Sequence, residues 1–143
     1  MRLDERNNGE SLPIVKCAAV VLRGNSVLLV RKRGTTDLIS PGGKLERGES
    51  HVACLGRELD EELGVSLVSA TYFGTYEDVS IFDRSRMITL FVYMCDIVGD
   101  PVPRSDLSCT GWGGLCFRVG FFVGILGVGW SFRGTKAAVG SGG

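Results

Sequence analysis

The chain has 143 residues with 16 basic and 16 acidic side chains, enough length for one domain with a real core. Zero net charge removes the broad field on which nucleic-acid or anionic-membrane binding depends, so neither partner is expected. The five cysteines, Cys17, Cys54, Cys95, Cys109 and Cys116, are odd in number, scattered and without a C-x-x-C pair. That pattern argues against a disulfide framework or a structural zinc site. With no secretory signal in the opening residues, reduced thiols in a cytoplasm are expected.

In chain order, residues 1–12 read as a flexible polar arm, 13–106 as the folded core, and 107–143 as an atypical glycine-rich apolar tail. Ile14 to Leu22 is rich in valine and alanine and reads as a buried strand. Arg23-Gly24-Asn25 makes a turn, and Asn25 to Arg33, with Val27-Leu28-Leu29-Val30 at its centre, reads as a strand buried on both faces. Lys32 and Arg33 end that strand with two positive charges near a glycine-rich loop; phosphate contact and an exposed strand end are both open readings.

Pro41-Gly42-Gly43 forms the loop, since glycine permits backbone conformations that bulkier residues resist. A helix follows, with Ser50 as N-cap and Gly64 as its left-handed terminator. Val52, Leu55, Leu59 and Leu63 recur at spacings of three and four and form one apolar stripe, with Gly56 on the same side. His51, the chain's only histidine, reads as a solvated bystander in the first turn.

Glu58, Glu61 and Glu62 stand at i, i+3 and i+4, which gathers their carboxylates into one patch in the last two turns. The helix dipole disfavours negative charge there by roughly 0.3–1 kcal/mol per group. Like-charged neighbours at this spacing add roughly 0.2–0.5 kcal/mol per pair. A divalent cation reverses the sign of both effects, and hard oxygen ligands suit Mg²⁺ or Mn²⁺ better than Zn²⁺. Three clustered glutamates alone also fit an acidic helix face open to water.

Beyond the helix, Ser66 to Tyr76 reads as a strand with aromatic residues, Glu77 to Ser85 as a polar loop, and Arg86 to Val98 as a further strong strand. Strands on both sides of a single long helix, without regular alternation, predict an α/β domain with a mixed sheet. From Leu107 onward there is no acidic residue, and glycines at 111, 113, 114, 120, 124, 127 and 129 each cost a helix roughly 1 kcal/mol relative to alanine. Three readings of this tail compete: a membrane segment over Val119 to Phe132, a natural glycine-rich tail, or an altered reading frame after about Asp106.

From Gly43 to Val65 the chain reads G-x5-E-x7-R-E-U-x-E-E-x-G-U, with U a bulky aliphatic residue, without a mismatch. This is the Nudix box, and the chain resembles the Nudix hydrolase family. The resemblance implies an α/β/α sandwich with a mixed sheet, whose second helix is here missing or altered. Loss of that helix leaves apolar surface that the tail covers in another way or that drives association, with a homodimer as one outcome. The implied activity is hydrolysis of the pyrophosphate linkage in a nucleoside diphosphate derivative, dependent on Mg²⁺ or Mn²⁺. The implied metal ligands are Glu58, Glu61, Glu62 and the backbone carbonyl of Gly42. One of the glutamates, or Glu49, orients or deprotonates the attacking water. Arg57 pairs with Glu49 and reaches Glu61, Lys44 contacts phosphate, Arg33 joins it in substrate binding, and Asp106 is the nearest further carboxylate. The window Ser80, Ile81, Phe82, Asp83 lacks both the proline of ADP-ribose hydrolases and the tyrosine of dinucleoside-polyphosphate hydrolases. That leaves a nucleoside triphosphate, oxidised or standard, as the expected substrate, with ADP-ribose or a nucleotide sugar as the alternative. Tyr72, Phe73, Tyr76 and Phe82 either stack on a base or belong to the core. The rival reading is a Nudix-fold binding module, or a catalytically defective product with an altered C-terminus.

Overall fold

The computed structural model describes residues 12–80, 83–114 and 138–139. The remainder of the 1–12 arm, and the expectations for a second helix or a membrane segment beyond residue 114, lie outside the described residues. Leu12 itself is tied down, its carbonyl accepting two hydrogen bonds from the Arg86 guanidinium at 3.1 and 2.9 Å. Among the described residues no helix is long and apolar enough to cross a membrane.

The strands are β1 (Ile14–Val20), β2 (Leu22–Arg23), β3 (Ser26–Lys32), β4 (Gly42–Lys44), β5 (Ser66–Val79), β6 (Met87–Val98), β7 (Leu107–Gly114) and β8 (Ala138–Val139), with one helix, α1 (His51–Leu63), between β4 and β5. They form two sheets, one of five strands ordered β4-β1-β6-β5-β8 and one of three ordered β2-β3-β7. The larger sheet is mixed, as the sequence predicts: β1 runs parallel to β6, while β1–β4, β5–β6 and β5–β8 are antiparallel.

Alternation along the strands sorts the apolar residues into two clusters. Cys17 and Ala19 of β1, Leu28 and Val30 of β3 and Cys95 of β6 join Cys54, Leu55, Leu59 and Leu63 of α1. Ala18 and Val20, Val27 and Leu29, and Ile88, Leu90 and Val92 make the second cluster. Four consecutive buried residues in β3 therefore serve both clusters, which is why that strand has no polar alternation. Leu28, Leu55, Leu59 and Leu63 are fully buried, each contributing about 1.5–3 kcal/mol through removal from water.

Three elements depart from the sequence reading. β5 runs on to Val79 through residues expected in a polar loop, because Glu77, Asp78 and Val79 pair with Thr89, Ile88 and Met87 of the strongly strand-forming β6. Pairing with a committed neighbour outweighs local polarity. The stretch expected to begin the tail supplies β7, whose residues pair along the length of β3. Glycine has a steric use there: a Cβ at Gly113 would strike the Leu29 side chain at 2.7 Å. The third departure is Val52, which is 51% exposed rather than part of the buried stripe of α1.

Candidate active site

β4 and α1 form the frame of the site. β4 lies against β1 with Gly42 opposite Ala18, Gly43 opposite Cys17 and Lys44 opposite Lys16. Gly42 has φ of 151°, and a Cβ there would collide with the Cys17 carbonyl. At Gly43 a Cβ would occupy the space of the Glu58 carboxylate. The two glycines thus bring the loop backbone against β1 on one side and against an acid of α1 on the other. The Cys54 thiol contacts the Gly43 and Lys44 carbonyls at 3.7 and 3.6 Å, holding the loop to the helix from below.

α1 starts at Ser50, whose hydroxyl accepts from the Ala53 N–H at 3.1 Å. It ends at Gly64 in the left-handed conformation, whose N–H donates to the Asp60 carbonyl at 2.9 Å. Loop amides satisfy two more terminal carbonyls, Arg104 N–H donating to Glu62 at 2.8 Å and Val102 N–H to Leu63 at 3.0 Å. The last turn has no basic residue, so Glu61 and Glu62 stand at the negative end of the dipole, where the cation of α1 that reaches Glu61 is Arg57, one turn earlier.

Arg57 is the hub. Its guanidinium clasps the Glu49 carboxylate through two bonds of 2.7 and 2.9 Å, reaches Glu58 at 2.9 Å and Glu61 at 3.4 Å, and donates to the Lys44 carbonyl at 3.1 Å. A planar fork with five donors suits this role where a lysine does not. The bond from Arg57 is the largest influence holding the Glu49 carboxyl well below its usual range, at about 2. Glu49 also accepts from the Glu46 N–H at 3.1 Å, which closes the loop on itself.

Glu62 behaves differently. It is only 6% exposed, and its Oε2 has no hydrogen-bond partner. Burial, followed by a carboxyl–carboxyl hydrogen bond with Glu58 and that residue's charge, pushes its acidity strongly toward the protonated form. Asp106 adds negative potential and Lys32 offsets part of it. A buried carboxyl with an unused oxygen beside a second, half-buried one is an arrangement whose hard oxygen donors fit Mg²⁺ or Mn²⁺. Among the described residues no three carboxylate, imidazole or thiolate side chains stand ready to hold an ion as they are. Glu61, with a side chain 55% exposed, is turned toward Arg57.

Of the residues singled out in the sequence, Gly42, Lys44, Glu49, Arg57, Glu58, Glu61 and Glu62 lie along this one loop–helix seam. Arg33 is exposed beyond the end of β3, its backbone N–H donating to the Asp106 carbonyl at 2.7 Å. The charge that acts on Glu62 from that strand belongs to Lys32, one residue earlier. Sequence reasoning missed Lys16. Burial, then the charges of Lys32 and Lys44, pull its pKa down from 10.5 to about 8, and Glu62 and Glu58 act on it in the opposite sense. The available signal was a lone cation within a strand otherwise built of valine, alanine, isoleucine and cysteine. His51 is not a solvated bystander: its Nδ1 lies 2.7 Å from the Tyr93 hydroxyl and its ring lies 4.2 Å from that of Phe91. Of the four aromatics considered for base stacking, Tyr72 and Phe73 are exposed, Tyr76 packs against the second core cluster, and Phe82 lies outside the described residues.

Comparison with known proteins converges on the same frame. The family model described as the NUDIX domain matches residues 13–112. An 8-oxo-dGTP diphosphatase from Haemophilus influenzae is 32% identical over 98 residues, covering 64% of this chain and 70% of that protein. A NUDIX hydrolase structure from Nitrosomonas europaea superposes with a TM-score of 0.62 at 30% identity, over 71% of this chain and 72% of that one. The crystal structure of a MutT NUDIX hydrolase from Burkholderia pseudomallei gives a TM-score of 0.66 at 24% identity, over 73% and 84%, and shows the shared fold. With the family model running from β1 through the loop–helix seam into β7, the chain belongs to the Nudix hydrolase family.

Proposed function

We propose that this hydrolase cleaves the pyrophosphate linkage of a nucleoside triphosphate in a reaction dependent on Mg²⁺ or Mn²⁺. The observation that carries the reading is the buried Glu62 carboxyl, with one unpartnered oxygen, beside the half-buried Glu58 and an arginine-clamped glycine loop. The triphosphate is favoured by the similarity to a protein described as an 8-oxo-dGTP diphosphatase. It also agrees with the lack of either alternative substrate marker in the window after the box.

In this reading Glu58, Glu62, Glu61 and the Gly42 carbonyl hold the metal, which when bound supplies positive charge to the bridging and non-bridging phosphate oxygens. Glu61, with its exposed carboxylate 3.4 Å from Arg57, would complete the set. Glu49 is locked in its ionised form by Arg57 and acts by orienting the loop, and water on that side, through fixed negative charge. Arg57 is a positioning residue: through Glu49 and the Lys44 carbonyl it fixes the loop against the helix. Lys44, exposed on β4, contacts phosphate. The described thiols, Cys17, Cys54, Cys95 and Cys109, are all free, in keeping with a reducing cytoplasm as the working compartment.

The test is release of phosphate and pyrophosphate from standard and oxidised nucleoside triphosphates, ADP-ribose, nucleotide sugars and dinucleoside polyphosphates, each with Mg²⁺ and with chelator. Metal-dependent turnover highest on a triphosphate is expected. Turnover confined to ADP-ribose or a nucleotide sugar overturns the substrate assignment. Silence across the panel from folded protein overturns the hydrolytic one.

A further inference from the structure

The acid-bearing end of α1 has no cation in its last turn. Arg57, which reaches Glu61, lies a turn earlier with its fork committed to Glu49. Negative charge is unfavourable at this end, where the helix dipole already amounts to about half a negative charge. A cation arrives instead from the loop between β6 and β7. The Arg104 guanidinium lies against Gly64, the residue that ends the helix, so closely that a Cβ there would stand 2.7 Å from its Cζ and Nη2 and 2.9 Å from its Nε. Two backbone bonds seat the loop: the Arg104 N–H donates to the Glu62 carbonyl at 2.8 Å, and the Val102 N–H to that of Leu63 at 3.0 Å. Behind Arg104 the turn is closed by the Leu107 N–H, 3.1 Å from the Arg104 carbonyl. It is tied to the end of β3 where the Arg33 N–H meets the Asp106 carbonyl at 2.7 Å. Ser105, inside this turn, has φ of 59°, the sole positive value outside glycine among the described residues. Such a backbone is unfavourable for a residue with a side chain and persists only where its surroundings over-determine it. The bonds on either side of Ser105 do so, and their result is a guanidinium held at the end of the acid helix.

We infer that Arg104 is a positioning residue that supplies, from outside the helix, the cation that lets the acids of α1 stand together at its C-terminal end before a metal binds, a role that rests on the hydrolase reading above. Arg104 and a divalent cation then answer to the same negative field, so each weakens the hold of the other. Loss of Arg104 therefore destabilises the metal-free protein more than the metal-bound one, which by linkage is a tightening of metal binding. Arg104 is exposed, so its charge acts through solvent and is screened by salt. An arginine that only fills space over Gly64 shows neither dependence, because its loss costs both forms equally at any ionic strength.

Replacement of Arg104 by Met keeps an apolar stem without the charge, and replacement by Lys keeps the charge on another head. In chelator at low salt, Arg104→Met should melt about 1–4 °C below wild type, the size expected for one cation at a helix C-terminus in a chain of this length. In about 0.5 M salt, where charges are screened beyond about 4 Å, most of that difference should vanish. Arg104→Lys should recover most of it at low salt. Made in a Glu61→Gln background, Arg104→Met should cost less than half as much as in wild type, since one of the charges it offsets is gone. Mn²⁺ binding followed by electron paramagnetic resonance should be about two- to fivefold tighter in Arg104→Met. The measurements in chelator need no metal and separate this role from the hydrolase reading. If wild type neither binds Mn²⁺ nor turns over a nucleotide, yet the cost of Arg104→Met is screened by salt and reduced by Glu61→Gln, the charge role stands and the metal reading falls. A melting temperature unchanged in Arg104→Met, or a cost indifferent to salt or to Glu61→Gln, overturns the role. So does Mn²⁺ binding by wild type that Arg104→Met leaves equal or weakens.

Discussion

Glu49 and Glu62 are carboxyls of the same seam held at opposite extremes by their surroundings. Glu49 accepts two bonds from Arg57, so its folded-state value falls from 4.5 to about 2. A depressed carboxyl contributes stability that is complete above about pH 4.5 and lost as the pH falls through about 2. The difference in melting temperature between wild type and Glu49→Gln should therefore shrink as the pH is lowered over that window. A difference that stays constant would show that the clamp depends on shape and not on charge. Glu62 is shifted the other way, by burial and by Glu58. A carboxyl raised in the folded state favours folding below its unfolded value of about 4.5, and that contribution fades as the pH rises through the folded one. Binding a cation requires the ionised form, so the rise in melting temperature produced by Mg²⁺ should grow between about pH 6 and 9. Thermal unfolding with and without Mg²⁺ checks this, and Glu62→Gln should remove most of the metal-dependent rise. The Glu58, Glu61 and Glu62 patch was legible because helical spacing is a local property. Lys16 was not: its significance comes from the β1–β4 register, which brings a lysine from another part of the chain opposite it.

At the scale of elements, α1 owes its position to three buried leucines and its ends to two caps. Leu59→Ala should cost about 2–5 kcal/mol, since Leu59 is fully buried between sheet and helix. Ser50→Ala should cost about 1 kcal/mol by removing the acceptor for the Ala53 N–H. Denaturant unfolding of the two variants measures both, and a larger loss at Ser50 than at Leu59 would contradict this packing. Ser50 and Gly64 marked the helix in the sequence because capping chemistry is local. The full length of β5 was hidden, since Glu77 and Asp78 are drawn into the sheet only by pairing with β6. β7 was hidden for a related reason. Its glycines are poor strand formers in isolation, yet Gly113 allows close approach to Leu29 of β3, and Trp112 gains the Arg23 guanidinium 4.2 Å above its ring. The exposure of Val52 and the docking of His51 on Phe91 likewise depend on where α1 crosses the sheet, which periodicity does not specify.

Across the described residues, two sheets and one helix place a glycine loop, an arginine clamp and an acid pair on a single seam, with lysines from β1, β3 and β4 near it. The central claim is that this seam is a metal-dependent hydrolytic site. Glu61 tests it most directly, because its exposed side chain can be altered without disturbing the core. The deciding measurement is the rate of hydrolysis of a nucleoside triphosphate by wild type and Glu61→Gln over a Mg²⁺ titration, with the melting temperature of both proteins recorded. Turnover that requires Mg²⁺ and falls by about 10²-fold or more in the variant, at an unchanged melting temperature, is the result this account predicts. Full activity in Glu61→Gln, or turnover indifferent to Mg²⁺, would contradict it.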